Sequence, residues 1–232
     1  MPIAEPASDE GVTDGRLLRG QSTRKQVLDA AERLFAEFGF DGVSIRQIAQ
    51  EATVPLASVG FHGGTKIELF KTVIERRVNE VSAARSEALA RMKARPQPPT
   101  LHELVAAYLG PYLDCAVDDD PQRRAYARLV ARMSDHDRWY PTVRDLYDPL
   151  AREYLSAIAE AGPAVDRERL SAAFVFSIAA MLHLVSTRRR IGGLLGNENV
   201  DRDPSIEAMR GALIDFCVGG IRGAGFEQPN DR

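Results

Sequence analysis

Along this chain apolar residues recur three and four positions apart, the period of a helix burying one face, and no stretch alternates apolar with polar as a half-buried strand would. The pattern predicts an all-α protein of about nine helices, near residues 22–38, 44–51, 55–62, 65–94, 100–117, 121–134, 142–161, 166–190 and 204–222. Three starts have capping-box form: Ser44-Ile-Arg-Gln47, Thr65-Lys-Ile-Glu68 and Thr100-Leu-His-Glu103. In each, a hydroxyl can accept from the third backbone N–H while Glu or Gln reaches back to the cap. Asp120-Pro121 and Asp203-Pro204 supply two more starts, because proline suits the first helical position, where no N–H is needed. Residues 1–20 and 223–232 lack an apolar stripe and are expected to be disordered, 1–20 as an N-terminal arm; 95–99 and 191–203 read as linkers.

Composition adds little to the class but constrains the chemistry. The 232 residues carry 30 basic and 33 acidic side chains, an ordinary globular balance. No apolar run approaches the ~20 residues of a bilayer span, and no secretory pattern opens the chain, so a cytoplasmic protein with no membrane partner is expected. Cys115 and Cys217 lie in apolar helical patterns without CxxC spacing and read as buried thiols. Charge is uneven: residues 1–15 hold four acids and no base, whereas 16–77 hold ten bases against seven acids. That excess is a modest electrostatic footprint for DNA.

The most specific feature is SIRQIAQEATVPLASV, Ser44 to Val59. Two helical turns (Ser44–Glu51), a short turn (Ala52-Thr53-Val54) and a second short helix from Pro55 make a helix-turn-helix, which fixes two helices at a steep angle so the second can enter the major groove. The preceding helix, with Val27, Ala30, Ala31, Leu34, Phe35 and Phe38 on one stripe, would pack beneath them. Phe61-His-Gly-Gly-Thr-Lys66 resembles a phosphate loop or an oxyanion-hole HGG only superficially. Thr precedes Lys with no strand before it, and no Gly-x-Ser-x-Gly elbow occurs in the chain.

Residues 23–77 resemble the tetracycline-repressor (TetR) family of bacterial transcription regulators. The likeness rests on Phe38-Gly39-Phe40, the Ser-x-Arg-x-Ile-Ala run from Ser44 and the His-x-x-x-Lys ending at Lys66. It implies a DNA-binding domain over 21–67 and a ligand-binding and dimerisation domain over 68–223. It also implies DNA-facing roles for Arg46, Leu56, Ala57, Ser58, Gly60, His62 and Lys66. Ser58 matches a phosphate-bonding hydroxyl and Lys66 a backbone anchor. The chain departs from the family in Gly60 and Gly63, where aromatics are usual, and in Thr53, where the turn usually has glycine. Leu56 and Ala57 can meet thymine methyls but cannot make bidentate bonds to guanine.

All six tyrosines and the single Trp139 lie between 108 and 154. Rings with a polar tip suit a cavity for a largely apolar molecule fixed by few hydrogen bonds. Tyr108, Tyr112, Tyr126, Tyr147, Trp139 and Phe174 are the candidate lining, with Arg128 or Arg132 as a carboxylate partner. Leu129–Tyr154 is similar to the C-terminal region of fatty-acid-responsive family members, so an acyl or other lipophilic effector is expected. For a two-fold dimer, the stripes of 166–190 and 204–222 nominate Phe174, Ile178, Met181, Ile206, Met209, Leu213 and Phe216. His102, His136 and His183 are too scattered to read as a metal set, and no cofactor or catalytic constellation is expected. The reading is a ligand-responsive repressor that binds a palindromic operator as a homodimer. Its rivals are a helical sensor or interaction protein that has lost DNA recognition, and an all-α enzyme.

Overall fold

The computed structural model describes residues 10–134, 136–162, 166–187, 189–194 and 205–225. Among them are eleven α-helices, a 3-10 turn at Asp137–Trp139 and no strand, so the fold is all-α. The chain divides into two compact units, Met1–Val73 and Ile74–Arg232.

The first unit is built from α1 (Glu10–Phe38), α2 (Ile45–Glu51), α3 (Leu56–Gly63) and the start of α4 (Lys66–Lys93). The stripe of α1 supplies Val27, Ala30, Ala31 and Phe35, which meet Ile48, Val59, Leu69 and Phe70 in one buried core. Phe35, Phe40 and Phe70 form a ring cluster with centroids 5.1–6.0 Å apart. Two details differ from the sequence pattern. Phe38 does not join the core but is exposed, because Gly39 takes a left-handed φ of 72° and ends the helix one residue later. And α1 starts at Glu10 rather than near 22, so residues 10–20, expected to be disordered, are helical; Leu18 in that extension is exposed. Residues 1–9 lie outside those described.

The sequence's capping boxes are present. Gln47 N donates to Ser44 Oγ at 3.2 Å, while Ser44 N donates to the Gln47 side chain at 2.8 Å. Thr65 with Glu68 and Thr100 with Glu103 repeat the arrangement, each returning bond 2.8 Å long. In the second unit α5 (Leu101–Val117) is the central element, packed by α6 (Pro121–Met133), α8 (Asp148–Ala161), α9 (Arg167–Thr187) and α11 (Ile206–Gly223). Asp120 caps α6 with Pro121 in its first turn, as expected. For α11 the cap is Ser205, whose side chain accepts from Ala208 N; Asp203 lies outside the described residues.

The helix predicted over 142–161 is two helices, α7 (Tyr140–Leu146) and α8, because Pro149 has no N–H for the carbonyl four residues back and the ladder breaks beside it. The one predicted over 166–190 stops at Thr187, and the stretch read as a linker begins with α10 (Arg189–Leu194). By length and composition α9 is apolar enough to cross a bilayer, contrary to the expectation that no segment would be. Seven of its residues, from Leu170 to Val185, are nonetheless buried in the protein's own core. Cys115 and Cys217 are buried free thiols, as the pattern indicates. Burial pushes both thiols above their ordinary range, which disfavours the reactive thiolate.

Candidate DNA-reading face and ligand cavity

In the first unit, α3 buries Val59 and Gly63 and turns Leu56, Ala57, Gly60 and Phe61 outward. Arg46 on α2 is exposed, Ser58 and His62 are half-buried, and Lys66 begins α4. Lys66 Nζ lies 4.4 Å from the centre of the Phe40 ring, so the aromatic cluster that anchors the core also seats this cation. Across the other side, Arg33 on α1 bridges to Glu51 on α2 at 2.9 Å. The residue that sequence reasoning missed here is Phe61: it is 86% exposed and edge-on to the His62 ring, 4.9 Å between centroids. With Leu56 it forms the exposed apolar part of α3, and its place beside His62 in the sequence was the available clue.

The two glycine departures have different causes. Gly60 has open space where a Cβ would stand, so nothing in the unit requires glycine there. A Cβ on Gly63 would come within 2.8 Å of Leu69 Cδ1, so a larger residue there requires the buried Leu69 side chain to shift. The α2 terminus is a Schellman motif: Val54 N donates to Ala49 O at 3.0 Å and Thr53 N to Gln50 O at 3.1 Å. Thr53 occupies its left-handed position with φ 55°, the only non-glycine residue at positive φ among those described.

In the second unit a cavity of about 90 Å³ opens among α4, α5, α6, α7, α8 and α9. Tyr108, Tyr112, Tyr126 and Tyr147 line it, as the tyrosine cluster suggested. Tyr112 donates its hydroxyl to Ala127 O at 2.6 Å, and the Tyr126 and Tyr147 hydroxyls bond each other at 3.1 Å. Burial pushes Tyr147 up to about 12, so at neutral pH it is a protonated donor. Trp139 and Phe174 are buried but do not line the cavity; Phe174 stands behind Tyr108, 4.7 Å between centroids. Arg128 and Arg132 are exposed on α6 and are not at the cavity. Its cation is Arg85, from α4, 4% exposed. Arg85 Nε donates to Tyr108 O at 2.6 Å, its guanidinium lies 4.0 Å from the centre of the Tyr108 ring, and Tyr154 donates its hydroxyl to Arg85 O at 2.7 Å.

Of the residues nominated for association, Phe174, Met181 and Ile206 are each 3% exposed, in the core of the protomer. Ile178 and Met181 line the cavity, and Met209 and Leu213 are half-buried against the core. The 3.6-residue period identified the apolar helices but could not say which of two apolar flanks faces inward. The outward flank carries Val175 and Phe176 on α9 and Phe216 on α11, with Ala172, Ala179, Gly211, Ala212, Gly219 and Gly220 around them. Among the described residues no cluster of His, Cys, Asp and Glu could hold a metal ion.

Residues 27–73 match the bacterial regulatory proteins of the tetR family, and 106–220 match the tetracyclin repressor-like C-terminal domain. No curated relative matches the chain. Solved structures with the same fold include a TetR-like transcriptional regulator from Rhodococcus sp. RHA1 (TM-score 0.60, 20% identity, covering 87% of this chain and 96% of that one). The fatty acid degradation regulator FadR from Bacillus halodurans aligns with TM-score 0.60 at 15% identity, over 86% of this chain and 96% of its own. FadR from Bacillus subtilis, in complex with stearoyl-CoA, aligns with TM-score 0.59 at 14% identity, over 85% and 98%.

Proposed function

The chain belongs to the TetR family of transcription regulators, and from that premise we propose that it is a cytoplasmic repressor that binds a palindromic operator as a homodimer and is released by a lipophilic effector. The observation that carries the reading is the outward face of α3, an unpartnered surface on a rigid three-helix core. Leu56, Ala57 and Phe61 offer apolar contact to thymine methyls, while Arg46, Ser58, His62 and Lys66 border that face with groups that bond phosphate or base edges. Gly60 leaves room on α3 for close approach of the backbone to DNA.

The outward flank of α9 and α11 supports dimerisation. Val175, Phe176 and Phe216 form an exposed apolar surface with small residues beside it, and two such helices from each subunit would close a four-helix bundle. The effector site is the tyrosine-lined cavity. At about 90 Å³ it is smaller than the ~300–1,000 Å³ of most ligand sites, so a long acyl chain would have to part the helices while a compact ligand would not. Either ligand must bind the DNA-free arrangement more tightly than the DNA-bound one, since equal affinity shifts nothing.

The test is selection of random double-stranded 30-mers on the purified full chain, followed by anisotropy titration of the enriched site. Enrichment of an inverted repeat with half-sites about one helical turn apart supports the reading. No enrichment at low salt favours the rival, a helical sensor without DNA recognition.

A further inference from the structure

The geometry points to a ligand that carries a carboxylate: Arg85 is built to hold the acid group of a compact apolar or aromatic acid inside the tyrosine-lined cavity. The inference rests on the effector-site reading above and narrows it to a chemical class. Arg85 is a permanent cation, 4% exposed, on the wall of an apolar cavity. Among the described residues no carboxylate lies within 4 Å of its guanidinium, and its one side-chain hydrogen bond is from Nε to Tyr108 O. The terminal nitrogens are therefore committed to no protein acceptor. A buried charge is ordinarily paired; here the Tyr108 ring and one carbonyl give partial compensation, and the rest is left for what enters the cavity.

The neighbouring hydroxyls fit the same ligand. Tyr112 and Tyr154 are spent on backbone carbonyls, but Tyr108's hydroxyl makes no hydrogen bond among the described residues. In the Tyr126–Tyr147 pair one hydroxyl donates to the other, and the second proton is free. Two open hydroxyl donors and a two-pronged guanidinium are complementary to the two oxygens of a carboxylate and offer little to an amide NH₂ or an ammonium. Asp148 also lines the cavity and pairs with Arg152 at 3.5 Å, and it makes no ion pair with Arg85, whose terminal nitrogens stay open.

Isothermal titration at pH 7.5 on the full chain would compare octanoate with octanamide and 3-phenylpropanoate with 3-phenylpropanamide. In at least one pair the acid should bind wild type about tenfold or more tightly than its amide, the range of a charge-assisted hydrogen bond. Arg85→Gln should abolish that advantage while changing amide affinity less than about threefold, and Arg85→Lys should retain part of it. If Arg85→Gln does not fold by circular dichroism, the wild-type acid-to-amide ratio decides alone. Amides binding as well as acids overturn the carboxylate assignment and leave the lipophilic-effector reading standing. If neither acids nor amides bind, the effector-site reading fails, and this inference with it.

Discussion

Replacing Thr53 by glycine should make the first unit more stable, a result opposite to that of most glycine substitutions. Thr53 holds the left-handed position of the Schellman motif that ends α2, with φ 55°. An L-residue in that conformation costs about 1–2 kcal/mol, and a β-branched one sits at the upper end because its two γ atoms crowd the following carbonyl. Glycine removes that cost but adds about 0.5–1 kcal/mol of backbone entropy lost on folding. Thr53 is exposed, so no packing is forfeited. Both motif hydrogen bonds involve backbone atoms only and survive the change. The balance is a gain of about 1 kcal/mol.

For a unit the size of Met1–Val73, 1 kcal/mol corresponds to a midpoint rise of roughly 4–8 °C. Trp139 lies in the other unit and does not report on it. Amide hydrogen exchange resolved over α1, α2 and α3 does: where opening is the whole first unit, the protected amides should exchange about fivefold more slowly in Thr53→Gly than in wild type. Thr53→Val, which keeps the branch and the strain, should change little. Exchange in Thr53→Gly equal to or faster than wild type, or a Thr53→Val variant as slow as Thr53→Gly, would refute the strain argument.

Four further outcomes follow from the same geometry. Lys66→Ala should weaken all DNA sequences about equally and lower the salt slope by about one for each phosphate it no longer neutralises, whereas Arg46→Ala should cost about 1–3 kcal/mol and relax preference at one base pair per half-site; anisotropy across a salt series separates the two. Phe176→Glu together with Phe216→Glu should convert a dimer to a monomer by light scattering while circular dichroism stays unchanged, since both side chains are 69% exposed within the protomer. Gly63→Ala should not stabilise the first unit in a thermal melt although alanine is the better helix former by about 1 kcal/mol, because the new Cβ would stand 2.8 Å from Cδ1 of the buried Leu69. Arg95 and the Thr100 cap hold the Glu103 carboxyl down to about 2, so its stabilisation is complete above the ordinary carboxyl range and is lost as pH falls toward that value. Both side chains are substantially solvated, so Glu103→Ala should cost only about 0.5–1 kcal/mol at pH 7 and little at pH 2, measured by urea melts.

What could be read beforehand and what could not divide along a physical line. Features set by neighbours three or four residues away were legible: Ser44, Thr65 and Thr100 cap their helices, and Thr53 stands at a glycine position because a turn's backbone demands are local. Even the break at Tyr147 was written locally in Pro149. Facing was less legible. On α9 the buried set, Phe174 and Met181, and the exposed pair, Val175 and Phe176, are equally apolar, so periodicity sees a helix hydrophobic nearly all round and cannot assign a side.

The cavity shows the limit most clearly. Its tyrosines announce themselves as a cluster in sequence, and Arg128 and Arg132, which lie within that stretch, are the candidates it offers for an accompanying cation. Both lie on the solvent side of α6, where Tyr126 and Val130 already occupy the inward positions of that helix. The basic side chains that α6 does half-bury, Arg123 and Arg124, reach Cys115 and the Asp118–Asp119 turn and do not line the cavity. The cation must then come from a different helix, and Arg85 comes from α4, 23 residues before the Tyr108 carbonyl it bonds. In the α4 sequence Arg85 follows Val81 by one turn and precedes Leu89 by one turn, so it occupies a core position in the stripe Val81, Arg85, Leu89, Met92. Arg77 stands one turn before Val81 on the same stripe and is buried too, but it pairs with Glu80 and Asp120, so the sequence signal, an arginine at a core position of a mostly apolar helical stripe, names two residues and the structure separates them.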